Sequence, residues 1–428
     1  MELEYTKVQT PRGVRDILPP EAQAKSRLEA KAAEYLESWG YERVYTPTFE
    51  FYDALVQGDG PVIAEKLYRF VDRDGMTLAL RPEMTTPIAR VAATRYRDEA
   101  GPLRLYYIGS VFRYAEPQAG RHREFTQVGV ELIGAGHPAA DAEVVLLAIG
   151  VLEHLGLSSL KIDLGQIGYF HGLIEGIRDA GYVAELKQAL LARDYVRYEA
   201  LVTGGPVEPA RREALLALPG LRGTKEALEE ARRLAQGAPG SLAAVENLRA
   251  IYSLIEAYGL ADRVAVDLGM VKDFDYYSGL LLEGYTPELG FTLCTGGRYD
   301  TLVGKFGREA PATGFAFGVE RAMLALDRQG RREPRSAPEL FLYGDGSRAE
   351  LLFALAADVR SRGFTAVVDV TGLSREEALE YASRRGIGKV LAFLGVEGGS
   401  PKVELIEARG VRCTGSLDEV LPGRGAGA

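Results

Sequence analysis

Polar and charged residues recur inside otherwise apolar, strand-like segments of this 428-residue sequence: Arg81 and Glu83; Arg113; Arg121, Arg123 and Glu124; Gln127 and Glu131. On a strand, Gln127, Gly129 and Glu131 project from one face, where a buried Glu131 needs partners to offset its desolvation. A shared polar pocket is the implied chemistry; the plainer reading is a half-exposed sheet with solvated charges. A second cluster is DFDYYSG with Tyr276 and Tyr277, followed by CTGGRYD with Gly296, Gly297, Arg298 and Tyr299. Adjacent tyrosines cannot both face the core of one strand, so one hydroxyl is available to a pocket, while Gly296-Gly297 permits a close backbone approach or a bulge. An aromatic core closed by a turn is the plainer alternative.

Other chemistries find no support. The sequence contains no G-x-x-x-x-G-K-[ST], no G-x-G-x-x-G opening a helix, no G-x-S-x-G and no H-E-x-x-H. His122, His137, His154 and His171 lack metal-ligand spacing, so surface or structural roles are expected and no metal or other cofactor is implied. Cys294 and Cys413 cannot build a disulfide framework, and no C-x-x-C occurs, which fits a reducing cytoplasm. The N-terminal residues carry no basic start with an apolar run, and no window approaches the roughly 18 apolar residues of a membrane span, so neither export nor a membrane is expected. A net charge of −9 argues against a protein whose main task is gripping nucleic acid.

The elements that must position these groups are readable in outline. Residues 20–39 place Leu28, Ala32, Tyr35, Leu36 and Trp39 at helical spacing before Gly40. YERVYTP, LYRFVD, MTLALRPEM, LRLYYIGSVFRY and REFTQVGVELIG are rich in β-branched and aromatic residues and read together as an antiparallel sheet. From about 168 to 259 strong helix formers dominate, which reads as a helical insertion. Strand character returns in RVAVDLGMV and SGLLLEGYT, and GFAFGVERAMLALDRQ reads as a closing helix. The main domain therefore spans 1–167 and 260–329. A polar linker with two prolines covers 330–338, and 339–428 alternates strand and helix as a small α/β domain with a largely parallel sheet.

At this point PRGVRDILP, LRPEMTTPIAR, VFRYAEPQAGRHREFTQVGVELIG, DFDYYSG, GGRYDTL and GFAFGVER occur in the order found in the histidyl-tRNA synthetase family, and the match covers most of the chain. GYERVYTPTFE resembles class II synthetase motif 1, VFRYAEPQAGRHREF motif 2 and GFAFGVER motif 3, while the last ninety residues resemble the anticodon-binding domain. The resemblance implies an α+β fold: a six- or seven-stranded, mainly antiparallel sheet flanked by helices, with a helical insertion, a C-terminal α/β domain and a homodimer built through motif 1.

Two branches share the pattern: the synthetase, which adenylates histidine and transfers it to tRNA, and a catalytically silent branch that serves as regulatory subunit of ATP phosphoribosyltransferase in histidine biosynthesis. By resemblance Glu83, Thr85 and Gln127 hold the amino acid's backbone end, Glu131, Tyr277 and Tyr299 read the imidazole, and Tyr276 and Arg113 line the same cavity. Such a set suits histidine, which needs an acceptor for its ammonium, a donor for its carboxylate and a donor–acceptor pair for its ring. The adenylation positions depart from the synthetase. Lys272-Asp273-Phe274-Asp275-Tyr276-Tyr277 stands where the synthetase has Arg-Gly-Leu-Asp-Tyr-Tyr, and a lysine lacks the bidentate fork of arginine. Ala115-Glu116 replaces Glu-Arg in motif 2, and Thr126 replaces a histidine, whereas Arg113 and Arg321 keep the motif arginines. The resemblance therefore implies the silent branch: a non-catalytic subunit that senses histidine for feedback inhibition, partners the catalytic subunit of ATP phosphoribosyltransferase, does not depend on tRNA, and works in the cytoplasm. An active histidyl-tRNA synthetase is the alternative.

Overall fold

The computed structural model describes residues 8–59, 61–99, 101–114, 122–272, 276–331, 337–344, 349–407 and 410–423. The chain folds as two compact units, residues 1–333 and 334–428, each with its own sheet.

The first unit is built on a nine-stranded sheet. From edge to edge the strands are Glu42–Arg43, Leu103–Phe112, Glu124–Ile133, Ala312–Gly318, Cys294–Arg298, Leu280–Tyr285, Lys161–Gln166, Val264–Asp267 and Arg222–Gly223. All pairings are antiparallel except Glu42–Arg43 with Leu103–Phe112 and Lys161–Gln166 with Val264–Asp267. The expected six or seven strands correspond to the seven longer ones, and the two additional strands are two-residue edges that carry no periodic signal of their own.

Helix Glu21–Ser38 buries Leu28, Ala32 and Leu36 beside helix Pro138–His154, whose interior is almost wholly apolar. One hydrophobic core runs from these helices through Ile162, Leu164, Leu280 and Leu282 to Leu248, Ile251 and Ile255 of helix Pro239–Ala257. The helical segment thus shares its interior with the sheet, because its helices present apolar stripes that none of them covers alone. Its Arg222–Gly223 also pairs with Val264–Asp267 as the sheet's far edge.

Three expectations need correction. LYRFVD and MTLALRPEM do not join the large sheet: Arg69–Val71 and Thr77–Leu80 pair with Phe49–Phe51 in a separate three-stranded sheet. Arg81 ties that sheet to the large one by donating to the carbonyls of Ser110 (2.8 Å), Thr46 (2.7 Å) and Pro47 (3.2 Å), which gives its buried charge a structural task. The first five residues of GFAFGVERAMLALDRQ belong to the strand Ala312–Gly318, and only Val319–Arg328 is helical, since a short apolar run does not by its periodicity tell strand from helix.

In the second unit the strand order is Ala366–Val368, Leu340–Gly344, Lys389–Glu397, Ser400–Glu407 and Gly410–Ser416. The first two pairings are parallel and the last two antiparallel, so the sheet is mixed rather than largely parallel. Helix Arg375–Arg385 starts at Ser374, which forms a capping box with Glu377, and ends at Gly386 in the left-handed region.

Candidate functional site

Glu83, Thr85, Arg113, Gln127, Glu131, Tyr276, Tyr277 and Tyr299, all eight residues assigned by resemblance to one ligand, line a single cleft with Thr295, Gly296, Gly297, Gly314, Phe315 and Ala316. The cleft is narrow, about 50 Å³, and partly open to solvent.

The central strand Glu124–Ile133 supplies Gln127 and Glu131 on its cleft side, with Gly129 between them. Glu131 is 1% exposed. Its Oε1 accepts from the Thr85 hydroxyl at 2.9 Å and the Tyr107 hydroxyl at 3.3 Å, and its Oε2 accepts from the Tyr299 hydroxyl. Burial pushes the Glu131 carboxyl up to about 8 against those three donors, and the nearby Glu83 pushes in the same direction. A Cβ on Gly314, which lies opposite Glu131 in the ladder, would strike the Glu131 carboxylate, so only glycine leaves that side chain its place.

Glu83 precedes helix Thr85–Thr94, and its carboxylate accepts from the backbone N–H of Thr85 and of Thr86, the latter at 2.8 Å. That contact satisfies the helix's first free donors and places an acid at the positive end of its dipole. Burial nonetheless raises the Glu83 carboxyl above the usual range. Arg113 follows strand Leu103–Phe112, donates through Nε to the Pro82 carbonyl at 2.7 Å and lies over the Phe125 ring at 5.4 Å. Thr85 links the two acids, with its N–H on Glu83 and its hydroxyl on Glu131.

Tyr276 and Tyr277 lie on the segment leading into strand Leu280–Tyr285, not on a strand, with ring centroids 4.8 Å apart; Tyr276 meets Tyr299 edge-on at 6.0 Å. Burial raises the Tyr277 hydroxyl, which stays a protonated donor. Gly297 has φ +153°, and a Cβ there would sit 2.9 Å from the Tyr277 ring. The same segment anchors itself on the opposite side: Arg298 Nε lies 3.0 Å from the fully buried Asp141, and its Nη atoms reach the Ala135 carbonyl and Asp300. Arg298 and Tyr299 are adjacent and point to opposite sides, so this buried ion pair fixes where the Tyr299 hydroxyl arrives.

Gln127 Oε1 is buried and makes no hydrogen bond among the described residues. A buried, unsatisfied acceptor beside two acids calls for a ligand N–H donor.

The adenylation positions behave differently. Lys272 does not line this cleft. Its ammonium pairs with Glu283, which also accepts from the Tyr285 hydroxyl, in a neighbouring charged cleft with Arg222 and Asp267. Arg321 donates to the Thr292 carbonyl at 2.7 Å and lies over Phe291 at 5.2 Å. Thr126 joins Lys25 and Glu320. Ala115, Glu116, Arg121, Asp273, Phe274 and Asp275 lie outside the described residues. Sequence reasoning missed Tyr107, fully buried beside Glu131 on the same sheet face. In LRLYYIGSVFRY it reads as one more apolar strand residue, and only its place opposite Gly129 marks it.

A nine-stranded, mainly antiparallel sheet whose central strand carries an acid and an amide beside the paired tyrosines of an adjoining segment has the build of a class II aminoacyl-tRNA synthetase core. The histidyl-tRNA synthetase family matches residues 13–322. The ATP phosphoribosyltransferase regulatory subunit of Moorella thermoacetica is 44% identical over 89% of this chain and 97% of its own length. That of Desulforamulus reducens is 41% identical over 89% and 94%. A crystal structure from Bacillus halodurans, described as an ATP phosphoribosyltransferase regulatory subunit/histidyl-tRNA synthetase, superimposes with a TM-score of 0.81 at 33% identity, over 91% of this chain and 99% of that one. The chain belongs to the ATP phosphoribosyltransferase regulatory subunit family, within the histidyl-tRNA synthetase-like proteins. No described helix is long and apolar enough to cross a membrane.

Proposed function

We propose that this chain is a non-catalytic regulatory subunit of ATP phosphoribosyltransferase that works in the cytoplasm with a catalytic subunit and binds histidine in the cleft around Glu131. The observation that carries the reading is the unsatisfied Gln127 Oε1 beside the buried, hydroxyl-ringed Glu131. The ligand's ammonium lies between Gln127 and Glu83, its carboxylate meets Arg113, and its ring takes Glu131 as acceptor and Tyr277 as donor. Residues 1–167 and 260–329 form the ligand-binding domain, with 168–259 inserted, 330–338 as linker and 339–428 as the appended domain. Feedback inhibition follows if histidine binds two states of the assembly with different affinities. A homodimer is the expected core, and tRNA is not a partner.

The pairing of Lys272 with Glu283 supports the silent branch over the synthetase, because the lysine that stands where the synthetase has its arginine is already neutralised within the chain. The test is histidine binding by calorimetry beside histidine-dependent ATP–pyrophosphate exchange. Binding without exchange is expected. Robust exchange would restore the synthetase reading.

A further inference from the structure

Glu131 offers four lone pairs when ionised, two on each oxygen. The Thr85 and Tyr107 hydroxyls occupy both on Oε1, and Tyr299 occupies one on Oε2, so a single acceptor position remains. Tyr107 does not line the cleft, and no solvent reaches it. Its ring crosses over Gly129, where a Cβ would come within 2.6 Å of the ring carbon bearing the hydroxyl. The missing side chain of Gly129, the cross-strand partner of Tyr107, thus leaves room for the Tyr107 ring to lie across the strand on the face shared with Gln127 and Glu131 and to reach the carboxylate.

We propose that Tyr107 is a positioning residue for ligand selection: by filling Oε1 from the neighbouring strand it fixes the Glu131 carboxylate plane and leaves one lone pair, on Oε2, for a single ring N–H of the ligand. The inference rests on the assignment of the cleft to histidine and deepens it. A loosely held carboxylate could rotate to meet a hydroxyl, an amine or a water equally well. A carboxylate with one open position accepts one donor from one direction, which favours an imidazole over flat apolar rings of similar size. The titratable groups facing Glu131 are Glu83 before the Thr85 helix, Tyr107 from its neighbouring strand, Tyr299 from the far strand's end and Tyr277 from the preceding turn, with Arg113 beside Glu83. Among them Tyr107, Thr85 and Tyr299 favour the ionised Glu131, and Glu83 opposes it.

The test is Tyr107→Phe, which keeps the ring and removes the hydroxyl, with Tyr198→Phe as control; Tyr198 is buried in the helical segment and donates to the Leu215 carbonyl at 3.1 Å. Histidine affinity is measured by calorimetry between pH 6.5 and 8.5 on the full chain. Loss of a donor to the ionised form makes Glu131 harder to ionise, so Tyr107→Phe is expected to weaken binding about tenfold at pH 6.5 and about threefold at pH 8.5. The control is expected to track the unaltered protein at every pH. A Tyr107→Phe profile parallel to the unaltered one overturns the positioning role and leaves the histidine assignment standing. No histidine binding by the unaltered chain at any pH overturns both.

Discussion

Two ends of the same sheet face treat their charges in opposite ways. Around Glu131 the fold supplies hydroxyl donors and leaves acceptors open: one lone pair on Glu131 and all of Gln127 Oε1. Around Lys272 and Arg321 each cation is already held by this chain, on Glu283 and on the Thr292 carbonyl. The two ends are joined by one ladder row, in which Gly129, Ala316, Thr295, Glu283 and Asp163 are successive cross-strand partners. The cleft around Glu131 and the cluster around Lys272 differ less in residue types than in whether the polar groups have partners inside the protein. An open acceptor recruits a ligand, whereas a cation saturated by its own chain has lost most of its pull on a phosphate.

The contrast can be broken most severely at Glu131. Glu131→Ala removes the proposed ring acceptor and strands the buried Tyr107 and Tyr299 hydroxyls and the half-buried Thr85 hydroxyl, so histidine affinity is expected to fall on the order of 100-fold and stability by about 2 to 3 kcal/mol, read by calorimetry and urea unfolding. Unchanged affinity would remove the cleft from consideration.

The next largest effect is pH. The folded carboxyl ionises near 8, whereas an unfolded glutamate ionises near its ordinary value of 4.5. Between those values the folded state holds a proton that the unfolded state has lost, so this group's contribution to the unliganded protein's stability falls as pH rises through that window. Histidine, which needs the ionised acceptor, is expected to bind about tenfold more tightly at pH 8.5 than at pH 6.5. A flat profile in calorimetry would place the ring elsewhere.

Gln127→Ala should weaken binding about fivefold, because it deletes one neutral acceptor for the ammonium while Glu83 remains. The sharpening case is Lys272→Arg. Since Glu283 would still hold the new guanidinium, histidine affinity should change less than about twofold, and pyrophosphate exchange should not appear. Exchange in that variant would overturn the reading that partner occupancy at Lys272 prevents adenylation.

The cleft's residues were legible mainly through family resemblance, because they sit in short ordered motifs, and Glu131 inside an apolar strand advertises its need for partners. Tyr107 was not, since a tyrosine beside another in a strand has no chemical mark until the register places it opposite Gly129. Lys272 could be read as a missing arginine, but its pairing with Glu283 depends on where strand Leu280–Tyr285 begins after the turn, which local periodicity does not fix. The separate three-stranded sheet was hidden for a similar reason: strands of three or four residues declare their type but not their partners.

The interior shared by the sheet and helix Pro239–Ala257 has an evolutionary reading. Residues 168–259 are not a cassette that could be exchanged or trimmed between relatives. Excision would bare Ile162, Leu164 and their neighbours to water and leave Val264–Asp267 without its edge pairing. Changes in this segment must therefore arrive as compensated pairs across the seam, and a chimaera that swaps it alone should be insoluble however well its cleft is preserved.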